Sequence, residues 1–336
     1  MTKQNPPKQN TRKNWHHQPT LPIQVSPLFI RPFKPIDTVK WYIRSWFPVS
    51  ERLIILLLSI ISWAYLHPSL ERCQQFQLDW VAQIFLRNLG LIFLVAGGLH
   101  LYLYTFKVQG NKRQYDTRPL AKNKRTFTFN NQVMDNMFWS CASGVTIWSL
   151  YEALMMWSIA NGYVPALPES GYFLWMATII FLIPIWETFY FYCIHRLLHW
   201  PPLYRFAHSL HHRNTNVGPW SGMSMHPFEH LLFLGSACIH FIIPANPLLI
   251  IFHLQYFTLS AATTHTGYEA LACDDKSFLA LGTFHHQLHH RYFDCNYGGL
   301  EIPWDQWFGS FHDGSEESHK EFLNKRKKAL KNQQAN

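Results

Sequence analysis

Charge is scarce in this chain of 336 residues: Asp, Glu, Lys and Arg make up 15% of it, against roughly 25% in an ordinary soluble domain. With 48% hydrophobic and 16% aromatic residues, neither a disordered chain nor a highly solvated surface is compatible with that composition. Acidic residues are the scarcer sign, 20 against 29 basic. The six cysteines, Cys73, Cys141, Cys193, Cys238, Cys273 and Cys295, form no Cys-x-x-Cys pair, which argues against a disulfide scaffold or a cysteine-ligated zinc site. No short apolar core followed by a small-residue cleavage site opens the chain, so no cleavable signal peptide is expected. None of the signatures of nucleic-acid-binding modules is present, and the basic residues lie outside the apolar blocks. They suit anionic lipid headgroups, and no nucleic-acid partner is expected.

The apolar residues are bunched. A short run covers residues 53–66, extended by Trp46, Phe47, Pro48 and Val49; longer runs cover 83–106, 137–160 and 172–194. At about 1.5 Å per residue, each of the last three can cross a hydrocarbon core of roughly 30 Å. Arg87, Glu152 and Glu187 interrupt these runs and are expected to point into the bundle, away from lipid. A further stretch, 231–263, is split by Pro244 and Pro247 into arms short enough for a re-entrant helical hairpin.

The predicted fold is therefore an all-α integral membrane protein with four transmembrane helices, a re-entrant hairpin and a histidine-rich cytoplasmic cap. It divides into a basic disordered arm (1–46), a four-span region (47–194), a cap with the hairpin inside it (195–312) and a basic tail (313–336). Loop charge gives the orientation. The 107–136 loop carries seven basic residues, the 161–171 loop none and the 67–82 loop only Arg72, which places the basic loops, and with them the cap, on the cytoplasmic side. An endoplasmic reticulum membrane and a bacterial inner membrane both fit.

Histidine is the residue in excess. Of 20 histidines, 16 lie at or after position 195. His195 and His199 stand at i and i+4 in HRLLH, where a helix places both on one face. Then come HSLHH (His208, His211, His212), HPFEH (His226, His230), HTGYE (His265) and FHHQLHH (His285, His286, His289, His290). A lone histidine is usually a structural hydrogen-bonder, but twelve in five clusters within 96 residues form a metal site. The set is neutral nitrogen with few carboxylates, which suits zinc, iron, copper or nickel. One zinc needs only three or four ligands, so this many candidates imply two metals. Two metals at a membrane surface, beside a hairpin able to hold an acyl or sterol chain, point to oxygen activation on an unactivated C–H bond. A zinc-stapled, non-catalytic scaffold and a metal carrier are the competing readings. A carrier is disfavoured because most histidines lie outside the apolar runs.

HRLLH, HSLHH and HHQLHH resemble the three histidine boxes of the membrane-bound fatty acid hydroxylase/sterol desaturase superfamily, with HPFE and HTGY between them also matching. The segment HHRYFDCNYGGLEIPWDQWFGSFHDG is most similar to the C-terminal end of C-5 sterol desaturases. The resemblance runs from about Trp186 to Phe311. It implies O2-dependent desaturation or hydroxylation of a sterol or long-chain lipid at a non-haem di-iron centre, with zinc an alternative occupant on purification. The ligands it implies are His195, His199, His208, His211, His212, His286, His289 and His290, with His265 and either His230 or His226 from the intervening motifs. No His-Pro-Gly-Gly and no Gly-x-Gly-x-x-Gly occurs, so electrons are expected from an external donor such as a cytochrome b5, a ferredoxin or a reductase. Glu187, Glu229 and Glu301 are candidates to orient ligands, and Asn296, Tyr297 and Gly298 to form a turn that supports the last box. His312 and His319 are expected to be solvated.

Overall fold

The protein is described by a computed structural model over residues 15–167, 170–273 and 276–335. Its organising element is a helix at the centre. The Asn246 side chain accepts a hydrogen bond from Leu249 N at 3.0 Å, and Pro247 occupies the first turn, where an N–H has no intrahelical partner anyway. The helix that follows, Pro247–Thr264, has no polar stripe to present to water, and such a helix has to be enclosed. Its residues from Leu249 to Thr263 are all buried among Glu51–Tyr65, the 132–160 helix and Tyr172–Leu198. The few polar groups inside are paired: Ser59 Oγ donates to Gln255 Oε1 at 2.8 Å, and Gln255 Nε2 donates to Ser62 Oγ at 2.8 Å.

Two surrounding helices, Leu78–Thr105 and Tyr172–Leu198, are long and apolar enough to cross a membrane. Their outer faces leave large side chains exposed, among them Leu86, Leu94, Leu101, Phe173, Leu174 and Leu182. An exposed apolar surface that broad fits lipid better than water. The other expected spans form a 15-residue helix, Glu51–Tyr65, and the continuous 132–160 helix. The expected hairpin is built from Pro227–Leu234, its 3-10 continuation Gly235–Phe241 and the central helix. At 18 residues the central helix is about 27 Å long, more than the expected half-crossing.

Wide π-type turns interrupt Leu78–Thr105 at Phe93–Gly97 and Leu101–Thr105, and the 132–160 helix at Ser140–Val145. The last has a visible use: Ser140 Oγ donates to Trp220 O at 2.9 Å, and Ser143 Oγ lies 2.8 Å from His230 Nδ1. These contacts press the turn Pro219–Met223 onto the central helix. At Gly222 an added Cβ would lie 1.9 Å from Ala261 O and 2.4 Å from Ala261 C, so only glycine fits. Gly222→Ala is expected to cost about 3 kcal/mol or more by overpacking against backbone, read as a lower melting temperature and yield in detergent. An unchanged melting temperature would overturn this.

Three expectations are corrected. The fold is mostly helical but includes an antiparallel hairpin, Ala270–Cys273 with Lys276–Ala280, whose few residues cannot show helical periodicity. It is fastened by Gln109, which donates to Ala270 O at 3.1 Å and accepts from Ala272 N at 3.1 Å.

The arm is ordered from Trp15 onward, although residues 1–14 lie outside the described residues. Arg291 stacks over the Trp15 ring at 4.0 Å, His17 Nε2 lies 2.7 Å from Glu269 Oε2, Ser26 N donates to Leu300 O at 2.9 Å, and Pro35–Arg44 is a helix. Its polar composition concealed these long-range partners.

The tail is helical over Glu316–Ala335, and His312 is buried rather than solvated, stacked on Tyr292 with ring centroids 5.5 Å apart.

Candidate metal centre

The helix Tyr172–Leu198 delivers His195 and, at its cap, His199. The 201–212 segment turns back from it and carries His208, His211 and His212. His265 caps the central helix. The helix Phe284–Tyr292, opened by the Thr283 side chain accepting from His286 N at 3.3 Å, brings His286, His289 and His290. Among the described residues these form two groups with donor atoms within 4.8 Å: His195, His199, His208, His212 and His289 in one, and His211, His265, His286 and His290 in the other. The i, i+4 pairs His195/His199, His208/His212 and His286/His290 each stay within one group, while His211 and His289 cross to the other and His285, four residues before His289, is in neither. The groups adjoin, with the His212 and His290 rings 5.0 Å apart.

In most of these rings the outer nitrogen is committed to a hydrogen bond, although His212 Nδ1 is buried without one. Nδ1 of His195 donates to Tyr297 O at 2.7 Å, that of His289 to Cys295 O at 2.7 Å, that of His265 to Ala261 O at 2.7 Å and that of His290 to Asn214 O at 3.1 Å. His208 Nδ1 donates to Glu229 Oε1 at 2.7 Å. A proton fixed on Nδ1 leaves Nε2 with a lone pair alone. The Nε2 atoms converge. Nε2 of His212 lies 3.1 Å from that of His199 and 3.0 Å from that of His289; Nε2 of His265 lies 2.9 Å from that of His290 and 3.0 Å from that of His286. His208 Nε2 is buried without a partner.

His265 and His290, each with Nδ1 committed, therefore meet acceptor to acceptor at 2.9 Å, which calls for a cation between them. Two nitrogens bound at about 2.1 Å to one metal and at right angles to each other stand about 3.0 Å apart, against about 3.4 Å in a tetrahedron. The observed spacings are nearer the first. The residues fit two metal ions held by imidazole nitrogen.

Burial keeps these imidazoles neutral. It lowers His208 to about 3 and His211 to about 4, and pushes His199, His212, His265, His286, His289 and His290 down as well, with neighbouring histidines adding to the effect around most of them. Burial also raises the Glu229 carboxyl to about 7, against the pull of His211 and His226. For the metal-free protein the sign follows directly. Unfolded histidine titrates near about 6.5, so below that pH the unfolded chain binds more protons and stability falls as pH falls. Glu229 acts oppositely, losing stability as pH rises through about 7, but it is one group against many. The melting temperature is expected to be lower at pH 5 than at pH 7.5; a flat or inverted profile would contradict this. Protons compete for the same nitrogens when metal is bound, in the same direction.

The two groups open on a cavity of about 720 Å³. His195, His208, His211, His265 and His286 form one wall, Phe191, Phe233, Phe257 and Leu281 its apolar body, and Glu51, Arg52, Glu187 and Glu301 a polar end.

Of the candidate ligands, His230 lies outside both groups: its Nδ1 faces Ser143 and its Nε2 faces Gly144. His226 caps Pro227–Leu234, accepting from Phe228 N at 3.2 Å. Glu229 orients His208, whereas Glu301 pairs with Arg52 and Glu187 lines the cavity. The 296–298 turn supports both ends of the site, since Asp305 accepts from Tyr297 N at 2.9 Å and Gly298 N at 2.8 Å while Tyr297 O receives His195. Sequence reasoning missed Asp305, Arg52 and Glu51. The last two form a charged pair at the head of an apolar run, a signal that reads equally as an ordinary helix start.

Residues 180–310, which contain every member of both groups, match the fatty acid hydroxylase family model. The chain is 25% identical over 239 residues to a Delta(7)-sterol-C5(6)-desaturase of Nicotiana tabacum, covering 68% of this chain and 82% of the relative. It is 32% identical over 160 residues to a Delta(7)-sterol 5(6)-desaturase of Eremothecium gossypii, covering 47% and 41%, and 33% identical over 126 residues to one from Saccharomyces cerevisiae, covering 36% and 32%. The chain thus spans less than half of either fungal relative. No solved structure matches it. Across the histidine-bearing region the chain is thus similar to the fatty acid hydroxylase family and to the C-5 sterol desaturases.

Proposed function

We propose that the protein is an integral membrane di-iron oxidoreductase that uses O2 to desaturate or hydroxylate a sterol or long-chain lipid. The observation that carries this is the pair of adjoining all-nitrogen groups opening on an apolar cavity. When bound there, two iron ions supply the reduction of O2 and the removal of hydrogen from an unactivated C–H bond. The chain's own residues do the rest. Phe191, Phe233 and Phe257 hold an apolar skeleton against the histidine wall and exclude water, which fixes the carbon presented to it. The Nδ1 hydrogen bonds of His195, His265, His289 and His290 keep each Nε2 aimed inward. Glu229, poised at about 7 with Oε2 unpartnered, is able to hold or release a proton beside His208 near neutral pH.

In this reading the chain crosses the membrane four times over 47–194, with the 231–263 stretch seated within the membrane and the 195–312 cap facing the cytoplasm. The membrane is the endoplasmic reticulum or a bacterial inner membrane. Electrons come from a cytochrome b5, a ferredoxin or a reductase.

The test is metal analysis of anaerobically purified protein followed by O2 uptake with a chemical reductant and a total-lipid extract. The expected result is two irons per chain and lipid-dependent O2 uptake that chelation abolishes. Tightly held zinc that iron cannot replace to give turnover would favour a metal-stabilised scaffold instead.

A further inference from the structure

The polar end of the cavity is built from residues far apart in sequence. The Arg52 guanidinium pairs with Glu301 and donates from Nε to the Tyr256 hydroxyl at 3.3 Å and from Nη1 to Ser45 Oγ at 2.8 Å. Thr188 Oγ1 donates to Glu301 Oε2 at 3.4 Å, and Thr263 Oγ1 donates to Glu51. Arg52, Glu301 and Glu51 are thus satisfied within the protein. Glu187 is different: it lines the same cavity and, among the described residues, forms no hydrogen bond or ion pair.

A carboxyl in such a place is costly to leave without a partner, and nothing in the apolar body of the cavity can supply one. The missing partner must hydrogen-bond a carboxyl, and a hydroxyl, which both donates and accepts, can do so. It must also tolerate Glu51 and Glu301 nearby, which disfavours a carboxylate or phosphate at that point. A basic alternative exists only at the cavity mouth, where Lys40 and Arg44 line the opening but are exposed and accompanied by Asp37.

Resting on the lipid-oxidation reading, we propose that Glu187, framed by the Arg52–Glu301 pair and Tyr256, anchors the hydroxyl of a neutral lipid alcohol and so selects alcohols over fatty acids. Glu187 precedes His195 by eight residues on one helix, about 12 Å along the axis. The anchored hydroxyl is thereby set about two helical turns from His195.

Saturation binding to the full-length protein in detergent micelles tests this without requiring turnover. The probes are cholesterol, its methyl ether, 1-octadecanol, octadecanoate and octadecylamine. Losing a hydrogen bond corresponds to about threefold to tenfold in affinity. At least one alcohol is expected to bind more tightly than its ether, acid or amine counterpart by that factor. Glu187→Leu is expected to flatten the preference, and Glu187→Gln, which keeps an acceptor, to retain most of it. Unchanged metal content and melting temperature in Glu187→Leu serve as the folding control, and removal of Glu187 leaves no protein partner stranded. Absence of saturable alcohol binding, a preference for acid or amine, or an alcohol preference that survives Glu187→Leu would each overturn the proposal. Alcohol selectivity without lipid-dependent O2 uptake would leave the anchor standing and defeat the oxidation reading; the converse would do the opposite.

Discussion

His212→Ala is expected to remove metal from one histidine group and to leave the other filled. His212 Nε2 is the hub of the first group, 3.1 Å from His199 Nε2 and 3.0 Å from His289 Nε2, so its loss opens the group at its centre. Loss of a partner that merely orients a ligand already weakens metal binding by about 10–100-fold, and removal of the ligand itself should exceed that. Metal per chain is expected to fall from two to about one under conditions that fill the wild type, and O2 uptake to less than about one-hundredth. His290→Ala should do the same to the second group. Glu229→Gln, which weakens only the hold on His208 Nδ1, should lower metal affinity within the 10–100-fold range. His230→Ala supplies the contrast, since its ring packs against Ser143 and Gly144 and metal content should stay at two. Two metals retained in His212→Ala, or one lost in His230→Ala, would overturn the grouping.

That contrast shows how far sequence alone reaches. The i, i+4 pairs His195/His199, His208/His212 and His286/His290 were legible because helical geometry fixes which side chains share a face, and each pair does share a group. The crossing of His211 and His289 was not, because it depends on how three helix ends converge. HPFEH has the same helical spacing, yet His226 spends its Nδ1 as a cap and His230 faces a π-type turn. The long apolar runs signalled their helices by length alone. The partners of the 15–46 segment and of His312 were hidden, since a polar, proline-rich stretch has no periodicity and gains its order from residues more than 250 positions away, as in the His17–Glu269 contact. The same holds for the cavity's polar end, where Arg52 and Glu301 meet across 249 positions of sequence.

Arg87 and Glu152 could be expected to face inward from their cost to lipid, but not to be matched with each other. In the folded chain the Arg87 guanidinium reaches both oxygens of Glu152, and neither side chain is more than marginally exposed. Asn88 completes the group, accepting from Arg87 Nη2 at 2.9 Å and donating to Glu152 Oε2 and Ser149 Oγ at 3.2 Å each. Glu152→Ala would leave a guanidinium buried between two helices with its counter-charge gone. Breaking a buried pair in this way costs about 3–5 kcal/mol, and a charge facing the centre of a bilayer costs about 2.5–3.5 kcal/mol on insertion scales, so both estimates give a large loss.

The double replacement Arg87→Met with Glu152→Leu removes both charges and is expected to be near neutral or stabilising, because burying the pair carries its own desolvation penalty. Thermal melting in detergent checks the comparison. The single variant should melt well below the wild type, and the double variant should return to it with two metals still bound. If the double variant melts as low as the single one, the pair is doing more than neutralising itself. The Asn88 and Ser149 hydrogen bonds that it organises would then be what holds Leu78–Ile92 against Thr146–Ala160.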